Sequence, residues 1–299
     1  MLSEAWPQAR GIPSACAVMR STPEDFQVVE HLGFELSGAG EHVFLYLQKR
    51  ELNTQDLVRQ ISGLAGIHQR DIGYSGLKDR NALTRQWISV RMAGKDEPDW
   101  SQLELSGSVV LLDAQRHQRK LKRGVHRSNQ FSISLRQLSG DRTELEQRLE
   151  QVKKAGVPNY YGAQRFGRGG ATLEQATHWA RSGGGKVSRA KRGMYYSVLR
   201  ACLFNRLLAQ RVLAGSWDQV LDGDVCILNG SRSLFSCDIV DADIGARAAE
   251  ADLHAGLPMW GRGQLLASAA RASEQAQQLE ASLDIKEFLE REGLNLAYR

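Results

Sequence analysis

The sequence predicts a mixed α/β chain in two parts, a strand-rich first half and a mostly helical second half. Three observations carry this reading. Short β-prone runs with alternating polarity recur up to Leu135. Glycines and aromatics then crowd into VPNYYGAQRFGRGG, Val157–Gly170. Beyond that point the apolar residues recur at helical spacing. The expected boundary lies near Ala155–Asn159, giving domains 1–155 and 156–299.

Asp25–Leu32 and Glu41–Leu47 read as strands, joined through a glycine-rich turn at Ser37–Gly40. Asn53 is placed to cap a helix that carries Leu57, Ile61 and Leu64 on one face. Asp71–Ser75 is a short strand, and Trp87–Met92 is the strand after the charged turn between them. Val109–Leu112 and Phe131–Leu135 are further strands. A helix is expected over Arg142–Ala155, with Leu145, Leu149 and Val152 inward and Gly156 as its stop. Helices near Leu173–Arg181 and over Tyr195–Leu213, a short strand at Asp224–Leu228, and alanine-rich helix to about Glu292 complete the chain.

A chain of 299 residues, 42% hydrophobic and 24% charged, has the composition of a soluble globular protein. No apolar run approaches the ~20 residues that span a bilayer, and the first residues lack the pattern of a signal peptide, so a cytoplasmic location is expected with no membrane partner. The four cysteines form no C-x-x-C pair and read as small buried apolar groups. The histidines are scattered and no metal is inferred. SGGGKVS lacks phosphate-loop spacing, because Ala180 stands where the first glycine is needed and Val187 follows Lys186. It reads as a mobile cationic loop, and no nucleotide cofactor is expected.

The net charge of +5 is clumped. Arg116–Arg127 holds six Lys or Arg and no acid, and Arg181–Arg192 holds five and no acid. Arg119, Lys120, Lys122, Lys186 and Arg189 in these blocks, with Arg20, Lys78 and Arg165, are the candidate RNA-binding cations. Two such blocks favour a polyanion partner through phosphate contacts. A solvated surface is the alternative. Tyr160, Tyr161 and Phe166 interleave with Gln164, Arg165 and Arg168, a pattern suited to stacking on unpaired bases or to packing a hinge.

The turn GYSGLKDRNALTRQW, Gly73–Trp87, sets Asp79 among Lys78, Arg80 and Arg85. A carboxylate among cations keeps its charge and can act as nucleophile or base. An ordinary surface ion pair is the alternative. Phe26, in a strand, is a core residue or a stacking platform.

Four segments together, PEDFQVVE, GLKDRNALTRQW, RKLKRGVHRSNQF and GVPNYYGAQRFG, resemble the TruD family of tRNA pseudouridine synthases in order and spacing. The resemblance implies a mixed-sheet catalytic domain of the pseudouridine-synthase type. It also implies a mostly helical insertion domain beginning near Gly156, the two forming a basic cleft. It implies isomerisation of uridine 13 in tRNA without metal or cofactor. Asp79 falls on the catalytic position, and Phe26 and Asn129 fall on positions that hold the target nucleotide. Members carry a C-terminal segment like AGSFAT or AGSYAT at the uracil pocket. None occurs before Arg299, so a catalytic domain lacking its C-terminal portion is expected. The rival classes are a non-catalytic RNA-binding or chaperone protein and, behind it, a carboxylate-dependent hydrolase. No protein partner is evident.

Overall fold

The computed structural model describes residues 6–231 and 233–299. The chain divides into two compact units: Ser14–Leu145, and the described residues up to Pro13 together with Glu146–Arg299. Among the described residues no helix is long and apolar enough to cross a membrane.

The first unit runs β1 (Cys16–Met19), β2 (Phe26–His31), β3 (His42–Arg50), α1 (Thr54–Ala65), β4 (Ile72–Tyr74), β5 (Leu83–Arg91), β6 (Val109–His117), β7 (Ser128–Ile133) and β8 (Leu135–Ser139). Its main sheet has the order β6-β3-β5-β2-β7, with β4 also on β5; β1 and β8 pair separately. Only β2 and β5 run parallel. The glycine-rich turn therefore closes no hairpin, because β5 lies between β2 and β3. Phe131–Leu135 is likewise not one strand: β7 ends at Ile133 and β8 starts at Leu135.

Alternation along β3 turns Val43, Leu45 and Leu47 to one face, where they meet Ile88 and Val90 of β5 and Leu57, Val58 and Ile61 of α1. Burying each such side chain contributes about 1.5–3 kcal/mol. Asn53 occupies the cap position of α1, and Gly66 ends the helix at φ 58°. Leu57 and Ile61 are fully buried, as the helical spacing requires.

The second unit contains α2 (Arg142–Ala155), α3 (Ala171–Arg181), α4 (Arg189–Leu213), β9 (Val225–Leu228), β10 (Leu234–Ser236), α5 (Ala242–Ala249), β11 (Leu253–Gly256), β12 (Pro258–Met259), α6 (Ala269–Gln278), α7 (Leu283–Arg291) and β13 (Ala297–Tyr298); the first residues of α2 belong to the other unit. Its core gathers Trp179 of α3, Leu199, Leu203 and Phe204 of α4, and Phe288 of α7. The stretch after Leu228 is not continuous helix. It holds β10 and β11 flanking β9 in a three-stranded sheet. These strands are only three and four residues long, too short for a periodicity to register. Helix α2 buries none of its residues, and Leu149 is 57% exposed, contrary to the expected inward face. Three of the cysteines are buried, but Cys16 is exposed.

Asp224, 1% exposed, receives Arg211 Nη1 at 2.9 and 2.8 Å and the Leu221 main-chain N–H at 2.9 Å, with Arg271 Nε at 3.3 Å. Removing one partner of a buried pair strands the other charge, at about 3–5 kcal/mol. Asp224→Ala is expected to lower the unfolding free energy of this unit by that amount, read as a fall in its urea midpoint, and an unchanged midpoint would show the pair to be dispensable.

Candidate active site

The site forms where the edge of β5 changes partner. Strand β2 pairs with Leu83–Arg85, and β4 pairs with Ile88–Val90. At the fork between them the Trp87 N–H donates to Glu30 Oε1 at 3.2 Å. Glu30 is 2% exposed, and its other oxygen accepts from Ser75 Oγ at 2.8 Å and from the Lys78 ammonium. One buried carboxylate thus ties β2, β5, the end of β4 and the turn that follows.

The main chain of that turn is held from two more directions. The Lys78 N–H donates to Thr54 Oγ1 at 3.0 Å, and Thr54 Oγ1 donates to Gln86 Oε1 at 3.0 Å. Lys49 Nζ donates to the Asp79 carbonyl at 2.8 Å and to the Leu52 carbonyl at 2.7 Å. With its backbone fixed, Asp79 turns its side chain outward, 43% exposed.

Arg20 Nη2 lies 3.3 Å from the Asp79 carboxylate. Arg20 has φ 63°, a left-handed conformation rare for a residue with a side chain. Its guanidinium also covers the Phe26 ring at 3.8 Å, and Phe26 leans on Phe131 with centroids 5.9 Å apart. Asn129 stands opposite Glu30 across the β2–β7 ladder. Its Nδ2 meets His126 Nε2 at 2.9 Å, and its Oδ1 is buried without a partner. The site therefore combines an outward carboxylate with a buried acceptor and with Phe26, which is 7% exposed and packs with Val28 and Ala82 beneath the Arg20 guanidinium.

Burial pushes the Lys49 ammonium down to about 8, opposed by the negative charge of Asp79. Next to Phe26, Asp25 accepts a two-pronged bond from Arg136, and this holds its carboxyl below its ordinary value despite burial.

The cations beside Asp79 in sequence are not its partners in space. Arg80 Nε donates to the Glu51 carbonyl at 3.3 Å, and Arg85 Nε to Gln48 Oε1 at 3.0 Å on the other face of the sheet. Lys78 is 9% exposed and bound to Glu30, which withdraws it from any phosphate. Arg20, expected to bind RNA, instead faces Asp79 and Phe26.

The first basic block is pinned rather than loose. Leu121 is 2% exposed, its N–H donates to Ser89 Oγ at 3.0 Å, and Gly124 N–H donates to the Ser75 carbonyl at 2.7 Å. A Cβ at Gly73 would stand 2.3 Å from the Leu121 carbonyl oxygen, so glycine is required there. Lys120 donates to the Arg70 carbonyl, whereas Arg119 and Lys122 are exposed. In the second unit Lys186 is exposed, and Arg189 already belongs to α4, so the second block is half loop and half helix. Arg165 lies over Tyr161 and bonds Ser197. Phe166 is buried, and Tyr160 and Tyr161 pack on the same core, the hinge-packing alternative for that segment.

The family model for tRNA pseudouridine synthase D (TruD) matches residues 10–178. The chain belongs to the TruD family. A TruD relative, the tRNA pseudouridine synthase D of Nitrosococcus oceani, is 47% identical over 285 residues, 95% of this chain and 78% of that protein. The one of Methylococcus capsulatus is 43% identical over 293 residues, covering 98% and 82%. The fold matches the crystal structure of a candidate TruD protein from Methanosarcina mazei with a TM-score of 0.67 at 18% identity, across 100% of this chain and 85% of that one.

Lys49 and Glu30 escaped the reading of motifs. A signal for both was available: each sits in the inward phase of its strand, after Val43, Leu45 and Leu47 in one case and after Phe26 and Val28 in the other. A charge in an apolar phase marks a buried, paired group.

Glu30→Ala leaves the Lys78 ammonium buried and unpaired, so a loss of about 3–5 kcal/mol is expected by urea denaturation. The Asp25–Arg136 pair contributes stability that is complete above the ordinary carboxyl value of 3.8 and lost as pH falls through the lowered one. Arg136→Met is therefore expected to flatten the acid limb of thermal stability, and an unaltered limb would dismiss the pair.

Proposed function

We propose that this chain is a tRNA pseudouridine synthase that isomerises uridine 13, with Asp79 as nucleophile and no cofactor. The observation that carries the reading is the arrangement around Asp79: an outward carboxylate on a clamped turn, joined through Arg20 to the Phe26 ring, in a TruD chain.

Pseudouridine formation breaks C1′–N1, turns the uracil and joins C5 to C1′. As nucleophile, the Asp79 carboxylate bonds to the substrate as C1′–N1 breaks and is expelled again when C5 joins C1′, which regenerates it. When C5 bonds to C1′ its proton leaves and N1 takes one up, so substrate and product are isomers. The base must first leave its stack, at a cost of a few kcal/mol, roughly. Stacking on Phe26 offsets this cost once the uracil displaces the Arg20 guanidinium from that ring. Asn129 Oδ1 is free to accept a hydrogen bond from the uracil imide or the ribose. Exposed Arg119 and Lys122 of the first unit, and Arg165, Lys186 and Arg189 of the second, supply phosphate contacts that position the tRNA without reading its bases.

Tritium release from tRNA labelled at uracil C5 tests the reaction. Asp79→Asn is expected to abolish release by at least about 10³-fold while tRNA still binds. Retained release would exclude Asp79, and binding by the unaltered chain without any release would mark a non-catalytic RNA-binding protein. Neutralising Arg119 and Lys122 together is expected to weaken binding to many RNAs alike. Each lost contact should lower the slope of log affinity against log salt by about 0.7–0.9. An unchanged slope would make that block a solvated surface.

A further inference from the structure

Lys49 is a charged residue with no accessible surface and no carboxylate bound to it. Its ammonium donates to main-chain oxygens: Leu52 at 2.7 Å, Asp79 at 2.8 Å and Lys78 at 3.5 Å. Leu52 lies just beyond β3, the strand on which Lys49 sits, and the other two oxygens belong to the turn that carries the carboxylate. An ammonium has three protons and no lone pair, so it can serve three oxygens at once. A neutral amine has two protons, and its lone pair would oppose the third oxygen.

A lysine merely filling space would not need this geometry. A methionine or leucine fits the apolar phase of β3 and avoids the cost of taking a charge out of water. The charged groups facing Lys49 are the Asp79 carboxylate and the Lys78 ammonium, both from the turn; its paired neighbours on β5 and β6, Thr84 and Val109, are uncharged.

We infer that Lys49 is a positioning residue for the reaction: its protonated ammonium, through the carbonyl of Asp79, sets where the carboxylate meets the substrate. The inference rests on Asp79 being the nucleophile. It acts on the main chain, unlike Arg20, which meets the carboxylate directly. A misplacement of about 1 Å in a reacting group can cost about 10²-fold in rate.

The proton on Lys49 is the lever. Its folded-state value near 8 lies below the ordinary 10.5. Between those two values the unfolded chain holds a proton that the folded chain lacks, so the stability contributed by this group rises with pH across that window. Positioning runs the other way, since it is complete below about 8 and lost above. Rate and stability should therefore part company on the alkaline side, which a purely structural lysine would not cause.

The experiment measures kcat and KM for tRNA from pH 6.5 to 9 in the unaltered chain and in Lys49→Met, with thermal melts at each pH. The unaltered chain is expected to lose about tenfold in kcat by one pH unit above the Lys49 value, at constant KM and without a fall in melting temperature. Lys49→Met is expected to show kcat lower by about 10–10²-fold, unchanged KM, and no alkaline limb. Full kcat in Lys49→Met, or the same alkaline limb in both proteins, overturns the inference.

A second measurement needs neither turnover nor that variant. Nitrogen-15 resonance of the Lys49 ammonium is expected to report titration near 8, moving lower in Asp79→Asn because the opposing negative charge is gone. Titration at the ordinary lysine value, or no movement in Asp79→Asn, also overturns it. If the unaltered chain makes no pseudouridine but Lys49 titrates as stated, the proposed reaction fails and the coupling of Lys49 to residue 79 stands.

Discussion

The first unit depends on one buried carboxylate. Strand β5 cannot keep a single partner along its second edge, because β2 leaves it after Arg85 and β4 joins it only at Ile88. A main-chain N–H stranded at such a fork costs about 1–3 kcal/mol. Glu30 takes up the Trp87 N–H and extends the same charge to Ser75 and Lys78. The side chain that repairs the ladder also fixes the turn, so the irregularity of the sheet and the location of the site have one cause.

Two classes of cation surround Asp79, and they act on different atoms. Lys49 and Lys78 are buried and hold the frame: Lys49 binds carbonyls of the turn, and Lys78 binds Glu30. Arg20 is partly exposed and meets the carboxylate itself. Exposed pairs in water are worth about 0–1 kcal/mol, so Arg20 can be displaced cheaply, whereas the frame cannot be opened without stranding a charge. The arrangement fixes the backbone of the turn and leaves the Asp79 carboxylate in an exchangeable contact.

Much of this was legible in the sequence. The α1 cap at Asn53, the alternation of β3 and the singular Asp79 turn are local signals, and local signals survive in a linear reading. The strand order was not legible, because β5 enters between β2 and β3 from beyond α1 and β4. The partners of Asp79 were hidden for the same reason. Arg20 reaches it across 59 positions and Lys49 across 30, while its neighbours Arg80 and Arg85 turn elsewhere. Pattern alone read Phe26 as a core residue, and it is 7% exposed in a small cluster with Val28 and Ala82; only resemblance to a family singled it out, with Asp79 and Asn129, as a candidate site residue. Short strands such as β10 lie below the length at which periodicity speaks.

Thr54 is both the first residue of α1 and a support of the turn, through the Lys78 N–H. Helix ends are where local opening begins, at a free energy well below that of the whole fold. Fraying of this one helical turn would slacken Asp79 while the sheet remained intact. The set of this turn is thereby tied to the order of one helix end, and it slips while the rest of the unit still stands.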